Sequence, residues 1–448
     1  MEIKQFEDKN LSHYSYAVLS ECEQQIVLID SARNVQLYLD FAKEKEAKII
    51  GVIETHPHAD FVSSHLELHQ TTGAIVYASK LVDAKYTHKT FDDGDSITFG
   101  KIKLSSLNTP GHSPDSISIV LEHDGKRKAV FTGDTLFIGD CGRPDLRPGN
   151  GDVKEAANTL AHQMYHSLRD KLMVLEDETV VYPAHGAGTL CGKSLSKQST
   201  STIGQEKQTN WSLQEADEEE FVKNLLEDQP FVPAYFPYNV ELNKKGAPHM
   251  DESIAAVKKG AATSNLHKAL WVVDVRKEDD FKEGHLPHSV NIQEDGKFET
   301  WLGSIVKPEE QFYIAAKDED QLQRVLLRIA AIGYETAVAE ALVVNDGDVK
   351  EAELDVDLFK NHTTDYTIVD VRNKAEVQEG KIFENSISIP LSELRGRTDE
   401  ISTDKPIVVH CAGGYRSAAA SSLIHARLNG KVNVFDLGEA IKQFQPAN

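Results

Sequence analysis

In the first half of the chain, short β-branched and aliphatic runs alternate with polar turns. AKIIGVIET, GAIVYAS, IKLSSLN, ISIVLEH, KAVFTGD and ETVVYPAHG each predict a strand that runs into a loop. Residues able to bind metals follow these strand ends, where α/β and sandwich enzymes place their sites. EADEEEFVKNLLEDQ then leads with acids and spaces its apolar residues as a helix does. The next stretch, PFVPAYFPYNVELNKKGAP, is rich in Pro and aromatics. That predicts an ordered arm, because a flexible tether is Gly/Ser-rich and poor in aromatics.

The C-terminal part of the chain repeats itself. WVVDVRKEDDFKEGHLPHSVNI matches YTIVDVRNKAEVQEGKIFENSISI, with Asp274 and Asp370 separated by 96 positions. An ungapped alignment at the same offset lays EQFYIAAKDEDQLQRVLLRI on PIVVHCAGGYRSAAASSLI and sets Ala315 against Cys411. Two copies of one α/β domain are expected, each a strand–loop–helix unit around a small parallel sheet. The expected domains are residues 1–247, 248–352 and 353–448.

Composition acts mainly by exclusion. At 448 residues the chain is too long for one core. A formal net charge of -23 argues against a nucleic-acid partner and against docking on an anionic membrane. No apolar run reaches the roughly 18 residues of a membrane-spanning helix. The start, MEIKQFEDKNLSHYSY, has no apolar stretch of the kind a signal peptide needs. Cys22, Cys141, Cys191 and Cys411 are too scattered for a disulfide framework. Free thiols and a cytoplasmic location are therefore expected.

The run Thr55-His56-Pro57-His58-Ala59-Asp60-Phe61 holds three potential metal ligands at the end of an apolar strand. His112 in TPGHS, Asp134 in FTGDT and His185 in YPAHG follow in Gly- or Pro-containing turns. In this order and in these turns the residues resemble the HxHxDH, GH, GD and AHG motifs of the metallo-β-lactamase superfamily. The resemblance covers the whole first segment and implies an αββα sandwich, so the fold class is α/β. The hydrolytic relatives hold two zinc ions, and their second site needs the last His of HxHxDH, where this chain has Phe61. A phenyl ring cannot coordinate a metal. His56, His112 and Asp134 alone make a two-His-one-carboxylate face, which suits non-haem Fe(II) more than Zn.

FTGDTLFIGDCGRPDL, with Cys141, Gly142 and Arg143, resembles the persulfide dioxygenases of that superfamily. The resemblance implies one Fe(II) per chain on His56, His112 and Asp134. It implies His58, Asp60 and His185 around the ligands, and Arg143 on a substrate carboxylate or phosphate. Tyr182 in VYPAHG is a candidate hydrogen-bond partner for the substrate, with core packing as the alternative. Cys141 and Cys191 are either sulfur carriers or buried structural thiols.

Cys411-Ala412-Gly413-Gly414-Tyr415-Arg416-Ser417 lies between the strand PIVVH and the helix SAAASSLIHARL. A Cys there feels the helix N-terminus and a ring of backbone N–H groups, both favouring an anion. Gly413 and Gly414 permit the tight curl, and Arg416 adds positive charge. The loop resembles the rhodanese family, and the upstream DVR and EG elements support that. Four residues between Cys and Arg, one fewer than in cysteine phosphatases, suit a single extra sulfur atom. The first copy has Ala315 and an acidic AAKDED loop, with Asp320 in place of Arg416, and is expected to be an inactive pseudo-rhodanese.

The three-part layout resembles bacterial persulfide dioxygenase–sulfurtransferase fusions. Expected partners are a low-molecular-weight thiol persulfide, O2 and sulfite, in a homo-oligomer as is common for the fold family. The expected reaction is persulfide oxidation to sulfite at Fe(II), then sulfur transfer through Cys411 to give thiosulfate. A glyoxalase II-type binuclear zinc thioester hydrolase fused to sulfurtransferase domains, and a non-oxidative sulfur carrier, are the alternatives. The sequence leaves open which thiol carries the persulfide.

Overall fold

A computed structural model describes residues 1–147, 152–261 and 266–445. The chain divides into two compact units, residues 1–250 with 331–333, and residues 251–330 with 334–448.

The first unit is built on two six-stranded sheets. One runs in chain order: β1 (Glu2–Asp8), β2 (His13–Ser20), β3 (Gln25–Ile29), β4 (Lys48–Ile53), β5 (Ile75–Ala78) and β6 (Lys89–Thr90). The other uses β7 (Ser96–Phe99), β8 (Ile102–Asn108), β9 (Ile117–His123) and β10 (Lys126–Gly133). A short hairpin follows, β11 (Leu136–Phe137) and β12 (Asp140–Cys141). β13 (Val180–Pro183) and β14 (Ser201–Thr202) then complete the second sheet, in the order β14-β13-β10-β9-β8-β7.

The two-residue period of a strand explains the layering. In β2, Tyr14, Tyr16 and Val18 face the core between the sheets, with Val27 and Ile29 of β3 beside them. Across the gap they meet Ile117, Ile119 and Leu121 of β9 and Ala129 and Phe131 of β10. The intervening residues Ala17, Leu19, Ile26 and Leu28 point outward, under Tyr38 and Phe41 of helix Gln36–Glu44 and Leu68 of helix His65–Thr72. On the opposite face, Val120 and Val130 lie under Ala161 and Met164 of helix Val153–His166. The central strands of each sheet are covered on both faces, giving the expected αββα sandwich, and β2 is buried at every position. This is why β2 and β3 show no clean hydrophobic alternation in the sequence. The aromatic arm is ordered, as expected, and contains helix Phe236–Lys245, with Pro237 in its first turn.

The second unit holds both copies of the repeat. The first has β15 (Lys259–Ala261), β16 (Trp271–Asp274), β17 (Ser289–Asn291), β18 (Phe312–Ala316) and β19 (Val338–Val343), in the order β15-β19-β18-β16-β17. The second has β20 (Thr367–Asp370), β21 (Ile387–Ser388), β22 (Ile407–His410) and β23 (Val434–Asp436), in the order β21-β20-β22-β23. Every pairing in both sheets is parallel. No helix among the described residues is long and apolar enough to cross a membrane.

The repeated DVR and Gly elements form the same buckle twice. Arg276 bonds both oxygens of buried Asp274, through Nε at 3.0 Å and Nη2 at 2.7 Å, and reaches the Gly284 carbonyl at 2.8 Å. Arg372 repeats this on Asp370 at 3.0 and 2.7 Å and on the Gly380 carbonyl at 3.0 Å. Removing one partner of such a pair strands a buried charge. Arg276→Ala is expected to destabilise the second unit by about 3–5 kcal/mol. Chemical denaturation of the full chain, followed by fluorescence, checks this; a loss below about 1 kcal/mol, the range of a surface pair, would refute the buckle's role.

Candidate metal centre and sulfur cradle

His56, His58 and Asp60 occupy the loop after β4, His112 the loop after β8, Asp134 the residue after β10, and His185 the loop after β13. All six are buried. His56 Nε2 is 3.8 Å and His112 Nε2 3.5 Å from Asp134 Oδ2. His185 Nε2 is 3.6 Å from Asp134 Oδ1 and 3.4 Å from Asp60 Oδ2. Both Asp134 oxygens, Asp60 Oδ1 and His185 Nε2 are buried without a hydrogen-bond partner. Burying such groups unpaired is costly, and a cation at their common centre offsets that cost.

The imidazole orientations fit a metal. His112 Nδ1 donates to the Arg143 carbonyl at 2.9 Å, which leaves Nε2 with a lone pair facing Asp134. Thr55 Oγ1 donates to Asp30 Oδ2 at 2.9 Å and so accepts from His56 Nδ1 at 3.0 Å. His185 Nδ1 lies 3.2 Å from the Ser12 carbonyl, with the same result. Such outer hydrogen bonds set the tautomer and aim of ligating histidines. Burial, with His58 and His112 nearby, holds His56 well below the usual imidazole pKa, and burial likewise lowers His112. Both are thus neutral and able to coordinate. Burial raises the Asp60 pKa.

The loop is clamped from the arm. Asn243 Nδ2 donates at 2.8 Å to the carbonyls of both His58 and Phe61, and its Oδ1 accepts from Ser63 N–H at 2.8 Å. Gly142 is required by close approach, since a Cβ there would lie 1.9 Å from the Asp134 carbonyl oxygen.

The other side of the centre is crowded. Phe61, buried, lies 3.9 Å from the His13 ring and 4.3 Å from the His58 ring, centroid to centroid. His58 Nε2 is 3.2 Å from Asp30 Oδ1. Burial opposes the charged form of His58, but Asp30 and Glu54 outweigh it and raise the pKa to about 9. His58 would have to give up that proton to bind an ion.

Arg143 is buried and occupied: it chelates Asp145 at 2.7 and 2.6 Å and donates to the Leu190 carbonyl at 3.2 Å. A substrate anion would have to displace Asp145. Tyr182, half-buried, stacks on Phe131 at 5.2 Å and packs edge-on against Tyr16, at the margin of the core between the sheets. The two thiols also differ. Cys141 sits in the apolar core, whereas Cys191 Sγ lies within 4.8 Å of ligand atoms of Asp134 and His185. Burial raises both thiol pKa values.

Sequence reasoning missed His13, Asp30, Asn243 and Arg147, which come from distant segments. His13 pairs across a β-bridge with His185. Arg147, held by Asp115, places positive charge where it disfavours protonation of both His56 and His112. None lies in a turn with a ligand-like neighbour, so no local signal marked them.

In the second unit, Cys411 follows β22 directly and is buried. Gly414 N–H donates to its Sγ at 3.1 Å, and Gly414 has φ 107°, a conformation that favours glycine. Ser417 Oγ is 3.7 Å from the sulfur. Arg416 makes a two-point ion pair with Glu376 at 2.5 and 2.7 Å, which pulls the Glu376 pKa down against its burial. Gly413 is clear on its Cβ side, with nothing within 4 Å.

The structure shifts the repeat alignment by one residue. Asp370 pairs with His410, whereas Asp274 pairs with Ala315, so Ala316 and not Ala315 occupies the place of Cys411. The first copy's loop is a residue shorter before its helix Glu319–Ala331 than the second copy's before Tyr415–Leu428. Either alanine lacks a nucleophile. Gln321 also fills this loop, accepting from Lys317 N–H at 2.9 Å and donating to the Val275 carbonyl at 3.2 Å.

Replacing Phe61 with His would supply the missing ligand atom. Phe61→His is expected to bind one more divalent ion per chain than the parent at saturating zinc, counted by elemental analysis. An unchanged count would show that Phe61 does not limit the second pocket.

Residues 11–185 match the model of the metallo-beta-lactamase superfamily, and residues 253–342 and 355–447 each match the rhodanese-like domain. The persulfide dioxygenase ETHE1 of Bos taurus is 31% identical over 197 residues, covering 44% of this chain and 72% of that protein. A cytoplasmic hydroxyacylglutathione hydrolase of Arabidopsis thaliana is 32% identical over 176 residues, 39% of this chain and 63% of the hydrolase. The crystal structure of a metallo-beta-lactamase from Staphylococcus aureus subsp. aureus COL matches 76% of this chain and 98% of its own, with a TM-score of 0.68 and 30% identity. The chain thus belongs to the metallo-beta-lactamase superfamily, with persulfide dioxygenases among its homologues, and carries rhodanese-like domains fused to its C-terminal side.

Proposed function

We propose that this protein oxidises a low-molecular-weight thiol persulfide with O2 at a single Fe(II), and passes sulfane sulfur through Cys411 to sulfite. The lopsided metal pocket carries the reading. His56, His112 and Asp134 present one open two-His-one-carboxylate face, while the Phe61 ring fills the space beside His58 and His13. Three such ligands leave adjacent positions free, which suits non-haem iron. The iron, when bound, supplies the redox chemistry that lets O2 react with a persulfide. The chain's own residues fix the two imidazoles and the carboxylate in place and keep the surroundings dry, so that the reacting groups meet without a bimolecular search.

The proposed balance is RSS⁻ + O2 + H2O giving RSH, SO3²⁻ and H⁺. At the cradle, the Cys411 thiolate attacks the outer sulfur of a second persulfide and expels the thiol. Sulfite then takes that sulfur and leaves as thiosulfate, restoring the thiolate. The Gly414 N–H and the helix N-terminus stabilise negative charge on sulfur at both stages. Joining both activities in one chain keeps the second near the sulfite made by the first, at an effective concentration of roughly millimolar.

The hydrolase relatives favour a second reading, a binuclear zinc thioester hydrolase. Anaerobically purified protein is expected to carry about one iron per chain and to consume O2 when a thiol persulfide is added. Near two zinc per chain with no oxygen uptake would replace the proposal with the hydrolase. In His112→Ala, iron content and oxygen uptake are both expected to fall to background; retention of either would mean the ligand set is wrong. Cys411→Ser is expected to keep oxygen uptake and release sulfite instead of thiosulfate. Thiosulfate formed at the parent rate would rule out Cys411 as the carrier.

A further inference from the structure

Besides the centre in the first unit, the described residues hold one set of His and carboxylate ligand atoms in the second unit that the reactions above do not use. It comprises His285, Glu351 and His425, whose ligand atoms all lie within 4.8 Å of one another. The three come from different parts of the fold. His285 belongs to the first rhodanese-like copy, in the turn after helix Glu278–Glu283. Glu351 lies on the segment connecting the copies, and His425 on helix Tyr415–Leu428 of the second.

Each ligand is already aimed. His285 is 4% exposed, and its ring stacks on Phe281 at 4.0 Å with the planes 2° apart. Its Nδ1 donates to the Leu286 carbonyl at 2.9 Å, so Nε2 carries the lone pair. That Nε2 is buried and has no hydrogen-bond partner, and burial keeps the ring neutral. Glu351 has a side chain only 3% exposed, and its Oε1 is likewise buried without a hydrogen bond. Nδ1 of His425 lies 3.6 Å from that oxygen. Two ligands of a tetrahedral zinc, each at about 2.0–2.1 Å, stand roughly 3.3 Å apart, so this pair needs little adjustment.

The backbone holds the ligands in register. His285 and Val349 exchange both N–H···O bonds, at 2.9 and 3.1 Å, and Glu351 N–H donates to the Lys282 carbonyl at 3.1 Å. Gly347 allows this approach, since a Cβ there would sit 2.2 Å from the His285 carbonyl carbon. A cavity of about 930 Å³, lined in part by His285, Leu286, Val349 and His425, gives an ion a way in.

We propose that His285, Glu351 and His425 bind a divalent zinc-like ion that clasps the two rhodanese-like copies and their connecting segment together. Two imidazoles and one carboxylate, with water as a fourth ligand, form a set typical of Zn²⁺ rather than of Mg²⁺ or Ca²⁺. The ion would answer the buried, partnerless Nε2 and Oε1 at once. The role is structural, because neither Cys411 nor Arg416 belongs to the set.

The test uses the full chain carrying His56→Ala and His112→Ala, which cripples the first metal centre. This protein is titrated with Zn²⁺, and separately with Co²⁺ as a visible-absorption probe. The expected result is one tight equivalent whose affinity falls at least tenfold on adding His425→Ala or the milder Glu351→Gln. Zn²⁺ should also raise the melting temperature of the second unit in the parent but not in those variants. Equal binding with and without the added substitutions, in protein whose circular dichroism shows it folded, would overturn the clasp. So would a parent that takes up no zinc at micromolar free ion. Using two variants, one isosteric, keeps a folding failure in either from deciding the question.

Discussion

The first unit is organised around the burial of several metal-type ligands about Asp134. Its two oxygens face His56, His112 and His185, and both oxygens and His185 Nε2 are buried without a hydrogen-bond partner. In water such groups would be solvated; under two sheets and an arm they are not, so the arrangement suits a cation. The rest of the site follows from holding these ligands still. Asp30 holds Thr55 by its N–H and its hydroxyl, and Thr55 in turn orients His56. Asn243, from the far end of the unit, fastens the carbonyls of His58 and Phe61. The sandwich brings four strand ends together, and the arm closes the loop that the first of them carries.

Phe61 decides how this pocket differs from a symmetric binuclear one. Its ring stacks among His13 and His58 where a further nitrogen would be needed. The neighbouring His58 is drawn towards Asp30, which favours its protonated form. The strong face and the weak face of the centre therefore share Asp134 but differ in ligand supply. That asymmetry separates the oxygenase reading from the hydrolase reading more sharply than overall similarity does, because relatives of both kinds match this chain at nearly the same identity, 31% and 32%.

The second unit separates what makes a rhodanese-like fold from what makes the cysteine loop of one copy. The Asp–Arg buckle is nearly identical in the two copies, down to the bond from the arginine to a glycine carbonyl. It is retained where no nucleophile exists, so it serves the fold. The loops after the central strands have diverged. One keeps Cys411 under the Gly414 N–H with Arg416 paired to Glu376; the other is shorter and is closed by the Gln321 side chain. In that loop the Gln321 side chain takes the Lys317 N–H, whereas in the other copy the Gly414 N–H points at sulfur.

The sequence by itself determined the sandwich and the repeat, and it picked out the residues that gather around Asp134 and the Cys411 loop, because each is written in neighbouring residues. A strand ending in His-Pro-His or in Cys-Ala-Gly-Gly-Tyr-Arg carries its chemistry within one turn, and strand period and turn residues are local properties. The sequence did not reveal that Arg143 is already chelated by Asp145, that Tyr182 packs at the margin of the aromatic core, or that a one-residue shift sets Ala316 against Cys411. His13, Asn243 and the grouping of His285, Glu351 and His425 were equally invisible, being assembled from segments tens to hundreds of positions apart. Local pattern fixes which residue types are present; only tertiary packing decides which of them meet and which buried polar atoms are left without a partner.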